Sequence, residues 1–134
     1  MTSPYVAFPD AEIAVLDYLR LAIPGILCNV EAPDGYRPDD GVFVRVERIG
    51  GQPNFPVSDY PLLDIEAYGP TRDAASQGLA EALAVLAVAR YRADAAVAFG
   101  EMTVITGAQF VRDPVTKEDR WHAMVSIGIR AKRV

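Results

Sequence analysis

The sequence predicts an α+β fold: a mixed, mainly antiparallel sheet with two helices packed on one face, in the order α-β-β-β-α-β-β. Two segments carry apolar residues at helical spacing, Val15 to Ile23 and Ala75 to Leu86. Several others alternate with a period of two, and the connections between successive strands are short, which favours antiparallel pairing. A chain of 134 residues, 51% apolar and 23% charged, suits one domain spanning residues 1–134 with one core.

The first helix follows Phe8-Pro9-Asp10, where Asp10 is placed to accept hydrogen bonds from the free amides of the first turn. Val15, Leu16, Leu19, Ala22 and Ile23 share one face while Asp17 and Arg20 point away, and Pro24-Gly25 stops the helix. Ile26 to Val30 reads as a short strand, followed by a polar loop from Ala32 to Gly41. Val42, Val44 and Val46 alternate with Phe43, Arg45 and Glu47 in a second strand that Gly50-Gly51 is expected to end.

Gln52 to Pro61 contains three prolines and two aromatics, so an ordered surface loop is expected there rather than a regular element. Leu63, Ile65 and Ala67 alternate with Asp64, Glu66 and Tyr68 in a third strand closed by Gly69-Pro70. Thr71 caps a helix over Arg72 to Arg90, whose stripe is Ala75, Gly78, Leu79, Ala82, Leu83 and Leu86. With Val85 and Val88 on its other side, the second half of that helix is apolar nearly all round and needs cover from another layer or a neighbouring subunit. Two final strands, Thr103 to Val111 and Trp121 to Ala131, flank an extended hairpin loop from Arg112 to Asp119. In the last strand Trp121, Ala123, Val125, Ile127 and Ile129 are assigned to the core, and His122, Met124, Ser126, Arg130 and Lys132 to the opposite face.

Eighteen acidic and thirteen basic side chains give a net charge of -5, and the only basic cluster is Arg130, Lys132 and Arg133. That balance argues against tight binding to a phosphate backbone. A single cysteine, Cys28, rules out an intrachain disulfide, and no apolar run is long enough to span a bilayer, so cytoplasmic synthesis and no membrane partner are expected.

Candidate chemistry is sparse. His122 is the only histidine, and without a neighbouring nucleophile in sequence it reads as a surface or interface residue. Asp64 and Glu66 point the same way from one strand and could offer an acid/base or cation-binding pair, but the solvent face of an ordinary amphipathic strand is the preferred reading. The loop acids Asp34, Asp39 and Asp40 do not match a calcium loop, and Gly50-Gly51 lacks the helix and the Lys-Ser/Thr of a phosphate loop. No catalytic residue, metal or cofactor is therefore assigned. The candidate interface residues are the loop aromatics Phe55 and Tyr60, the helix valines Val85 and Val88, and Arg112, Lys117, Arg120 and His122 around the last hairpin.

The segment from Val44 to Gly51, with its Arg48-Ile49-Gly50-Gly51 turn, precedes a loop and then Asp59 to Gly69, with Leu63-Asp64-Ile65-Glu66-Ala67-Tyr68-Gly69 running into an alanine-rich helix. This order, completed by a final strand pair and a basic end, resembles the tail terminator proteins of long-tailed (siphovirus-type) actinobacterial phages over nearly the whole chain. The resemblance implies a structural virion protein, assembled in the host cytoplasm, that closes a homo-oligomeric ring of six copies on the tail tube protein and stops tube growth. Its opposite surface would meet the head-tail connector protein at the head-proximal end, and DNA would pass through the lumen without specific binding. An acidic lumen would suit that passage. Another neck component, a head-tail connector or a tail completion protein, is the alternative, followed by a small-ligand or enzymatic domain using Asp64, Glu66 and His122.

Overall fold

The computed structural model describes residues 5–112 and 119–133. After a two-residue strand β1 (Val6–Ala7) come α1 (Ala11–Ala22), β2 (Leu27–Asn29), β3 (Phe43–Asn54), β4 (Ser58–Tyr68), α2 (Arg72–Ala87), β5 (Phe99–Val111), β6 (Arg120–Arg130) and β7 (Lys132–Arg133). The main sheet has the order β2-β3-β4-β6-β5, with β2 parallel to β3 and the other pairs antiparallel. The expected α+β class and element order hold, and β1 with β7 adds a small antiparallel pair that joins the beginning and end of the described chain.

Both helices cover one face of the sheet. Asp10 caps α1 by accepting from the Ile13 amide at 3.0 Å, and Thr71 caps α2 by accepting from the Ala74 amide at 3.1 Å. Val15, Leu16 and Leu19 of α1 and Leu79, Ala82 and Leu86 of α2 close over Val44, Val46, Leu63, Ile65, Ala67, Ala123, Val125, Ile127 and Ile129. Each large side chain buried here contributes about 1.5–3 kcal/mol of transfer free energy. Gly78 lets α2 approach the chain just before β3, since a Cβ at that position would stand 2.5 Å from a methyl of Val42.

Tyr18, absent from the expected apolar face, is buried between the helices. Its hydroxyl donates to the Val85 carbonyl at 2.6 Å, and its ring meets Phe99 edge-on at 5.3 Å. Helix α1 is thus the additional layer that one side of α2 required, and Val85 is half-buried there.

Three expectations are corrected. First, Gly50-Gly51 does not end β3: it sits at a shift of register between Arg48 and Gly50, a bulge after which pairing with β4 continues to Asn54 opposite Ser58. The expected loop over Gln52 to Pro61 is mostly a hairpin with a short tip at Phe55–Val57. The prolines are tolerated because β2 pairs with β3 only as far as Arg45, leaving the outer edge at Pro53 without a partner strand among the described residues, and Pro61 falls between the β6 pairings of Asp59 and Leu62.

Second, β5 begins at Phe99 and its alternation is broken by three register shifts, so much of the strand is exposed on both faces. Third, α2 ends at Ala87 and a short 3-10 turn, Ala89–Tyr91, completes the segment expected to be helical to Arg90.

Candidate interaction surfaces

The face of the sheet opposite the helices carries an ion-paired polar network. Pairing across the strands aligns Arg45, Glu66, His122 and Gln109 in one row and Glu47, Asp64, Met124 and Thr106 in the next. Glu66 is only 7% exposed, although no helix covers it, because neighbouring side chains lie over it. Its carboxylate is 3.6 Å from Arg45 and 3.4 Å from Arg120, and it accepts the Tyr68 hydroxyl proton at 2.7 Å. The expected solvated strand face is therefore a half-buried network, which two guanidiniums spanning from β3 and β6 make stable.

Local electrostatics follow from that packing. Burial pushes the Tyr68 hydroxyl up, and the Glu66 carboxylate pushes it the same way. Burial works against the charge on Arg45, but Glu66 and Glu47 outweigh it and raise its pKa. Burial also raises Asp64, with Glu66 adding to the effect and the His122 hydrogen bond at 3.2 Å opposing it. Among the described residues Arg120 Nε is buried without a hydrogen-bond acceptor, since its approach to Glu66 satisfies distance but not direction.

Asp64, Glu66 and His122 are thus brought together, but as members of an internally paired sheet face. Cys28 lies on the helix-covered side, buried, with its thiol directed at the Leu16 carbonyl 3.9 Å away, and burial raises its pKa, which disfavours the reactive thiolate. Two cavities lie elsewhere. One of about 600 Å³ is lined by Tyr36, Arg37, Thr71, Arg72, Phe110 and Asp119, and one of about 390 Å³ runs between α1 and the segment Asp94–Phe99. Among the described residues no group of three metal-ligating side chains converges.

The remaining sequence-derived candidates fall on separate parts of the body. Phe55 is 64% exposed at the tip of the β3–β4 hairpin, touching Phe8 edge to face with centroids 4.5 Å apart. Tyr60 is 46% exposed and its ring edge passes over Gly128 of β6. Val88 is half-exposed just beyond α2. Arg112 is exposed beside the Phe110 ring, 5.5 Å from its centroid, while Arg72 stacks on the same ring at 4.0 Å. Lys117, with most of the expected hairpin loop, lies outside the described residues.

One contact escaped sequence reasoning. Arg48 grips Asp59 through two hydrogen bonds, Nη1 to Oδ2 at 2.6 Å and Nη2 to Oδ1 at 2.9 Å, and its Nε donates to the Gly50 carbonyl at 3.0 Å. The Arg48 amide in turn donates to Glu12 at 2.9 Å, tying the hairpin to the first turn of α1. The bond to Asp59 is the largest influence raising the Arg48 pKa. The signal in the sequence was present but masked, because reading Gly50-Gly51 as a strand end hides the hairpin that brings residues 48 and 59 together.

These features define a small α+β domain with an ion-paired sheet face and exposed apolar side chains set on ordered elements. No helix among the described residues is long and apolar enough to cross a membrane. The family model described as phage tail termination protein matches residues 7–134, and the chain belongs to that family of structural tail proteins. Comparison with curated proteins gave no match.

Proposed function

We propose that this phage tail termination protein acts as a ring-forming cap: copies of the chain, six in the closed ring, settle on the last ring of the tail tube and stop its growth. The other side of the ring then receives the head-tail connector at the head-proximal end, and DNA passes through the lumen. The observation that carries this reading is the family match over residues 7–134. A ring subunit needs contacts on both flanks and along the axis. The exposed Phe55 and Val57 on the hairpin tip, Val88 after α2 and Ile105 on β5 supply apolar groups on several sides of the body.

The network on the open sheet face supports a structural role, since its carboxylates are engaged with arginines, Tyr68 and His122 rather than presented to a cavity. Adding the protein to polymerising tail tubes tests the proposal. Tubes of limited length, each with a sixfold density at one end in electron microscopy, are expected. Unrestricted tubes with bare ends, or binding to the connector alone, would replace the cap with another neck component.

A further inference from the structure

Strand β5 is 13 residues long, yet only Phe99 of it is buried, so the core does not account for its length. From Met102 to Val111 it carries no charge, and Val104 and Ile105 are half-exposed. Its outer side has no partner strand among the described residues. The opposite edge of the sheet is guarded: β2 covers β3 as far as Arg45, a bulge follows at Gly50, and Pro53 offers no amide proton. The two edges are unlike, and β5 is the one left open to another strand.

Register shifts interrupt β5 but leave Met102–Val104 and Gln109–Val111 regularly paired with β6. Pairing with Ile127 and Trp121 puts Met102 and Phe110 on the helix-covered side, where Phe110 meets Arg72 of α2. Pairing with Ser126, His122 and Arg120 puts Thr103, Gln109 and Val111 on the open side. Residues directly opposite each other in an antiparallel pair point to the same face of the shared sheet.

A second β5 running antiparallel to the first meets that condition when Thr106 lies opposite its own counterpart. Met102 then faces Phe110 of the second copy, helix side to helix side, and Thr103 faces Gln109, open side to open side. A slip of one residue would set Met102 against Val111 and mismatch the faces. The two regular stretches fall opposite each other, and the bulges on either side of Thr106 interrupt the ladder only at its centre.

The charges agree with the same register. Glu101 and Arg112 bracket the uncharged run, both exposed and neither in an ion pair among the described residues. With Glu101 opposite Val111 of the second copy, its carboxylate comes beside Arg112 of that copy, and the twofold repeats the contact at the other end.

We infer that the β5 edge is a docking surface for β5 of a second copy, the two strands running antiparallel about a twofold axis at Thr106 and joining two sheets into one. Self-complementarity selects this occupant over a foreign strand, because regular stretches, side-chain faces and terminal charges all match in one register. Such a contact uses the same surface on both copies, whereas a ring closes through two different ones. The inference therefore goes beyond the proposed cap and does not depend on it.

Sedimentation velocity on the full chain over a range of concentrations is expected to show association to dimers. Thr103→Cys and Gln109→Cys locate the contact. A short bismaleimide should join the two variants when mixed several times more than it joins either alone, since each added thiol faces the other position and Cys28 is buried. Glu101→Arg should weaken dimerisation about threefold or more, and adding Arg112→Glu to the same chain should restore it. All four positions are exposed, so wild-type melting temperatures are expected. If a cysteine variant fails to fold, the charge exchange decides.

A chain that stays monomeric at every concentration overturns the inference. Cross-linking no greater in the mixture than in the separate variants does so too, by giving any dimer or larger assembly to another surface. Association untouched by Glu101→Arg, or not restored by Arg112→Glu, overturns it as well.

Discussion

Arg48 and Asp59 form a bidentate pair that closes across the β3–β4 hairpin, and they are unequal partners: the aspartate is 2% exposed while the arginine still reaches water. Removing one member of a buried pair costs about 3–5 kcal/mol when the other is left charged and desolvated, and less when the survivor is hydrated. Arg48→Met, which strands the carboxylate, is therefore expected to destabilise by about 3 kcal/mol. Asp59→Asn, which leaves the guanidinium free to turn outward, should cost about half as much. Urea midpoints of the two variants decide the matter, and an equal or inverted order would show that the asymmetry of burial does not govern this contact.

The bulge next to that pair gives a second test. Gly51 has φ 102°, and a Cβ built on it would stand 2.2 Å from the Tyr60 carbonyl oxygen, backbone that cannot swing aside. Gly50 has nothing within 4 Å of the same position. Gly51→Ala is expected to cost more than about 2 kcal/mol, through strain at a left-handed position as well as the clash, whereas Gly50→Ala should lie within about 1 kcal/mol of wild type. Comparable melting temperatures for the two would remove the bulge as the reason for the glycine pair.

Where burial follows local periodicity, the fold was legible. Val15 and Leu19, Leu63 to Ala67, and Ala123 to Ile129 announce their elements because each side chain's destination is set by its spacing alone. The hairpin beyond Gly50 was not, because Gly and Pro are breakers locally, while pairing between β3 and β4 outweighs them: Pro53 and Pro61 keep their places in that ladder, Pro53 beyond the reach of β2 and Pro61 in a gap of the β6 pairing. Strand β5 was legible as a strand but not in its burial, since three register shifts decouple sequence parity from face.

Of the site, the sequence placed Asp64 and Glu66 on one strand face, and grouped His122 with them only in the enzymatic alternative; that His122 lies 3.2 Å from Asp64 follows from the pairing of β4 with β6. The sequence did not reveal that Glu66 is buried, because that depends on Arg45 from β3 and Arg120 from β6 converging on it. The order of strands in the sheet, with β6 rather than β5 beside β4, cannot be read from any one strand's sequence.

Asp64 provides a pH-dependent prediction. Burial is the main cause raising its pKa above the ordinary carboxylate value of 3.8, with Glu66 adding to it and His122 opposing it. A carboxyl group whose folded pKa lies above its unfolded one lends stability that is complete below the unfolded value and is lost as pH rises through the folded value. Asp64→Asn keeps an acceptor for His122 and has no charge to desolvate. Its stability relative to wild type is therefore expected to rise from pH 3.5 upward and to level off once wild-type Asp64 is ionised. Thermal melts of both proteins across pH 3.5 to 7 report the difference, and a relative stability that falls as pH rises would mean that ion pairing, not burial, dominates at Asp64.

The edge strand β5 yields the last prediction. From Met102 to Val111 it carries no charged side chain, and Val104 and Ile105 are about half-exposed. Its outer side has no partner strand among the described residues. Edge strands that remain free in solution commonly carry a lysine or an inward charge, which makes pairing with another chain costly, and β5 has none over these ten residues. An exposed side chain on such a strand contributes little to the fold, so Ile105→Lys is expected to change stability by less than about 0.5 kcal/mol. The same substitution places a charge where an incoming strand would have to bury it, and should lower self-association measured by light scattering. A variant that unfolds would show that Ile105 belongs to the core. A variant that folds normally and associates as readily as wild type would show that the β5 edge takes no part in contacts between copies.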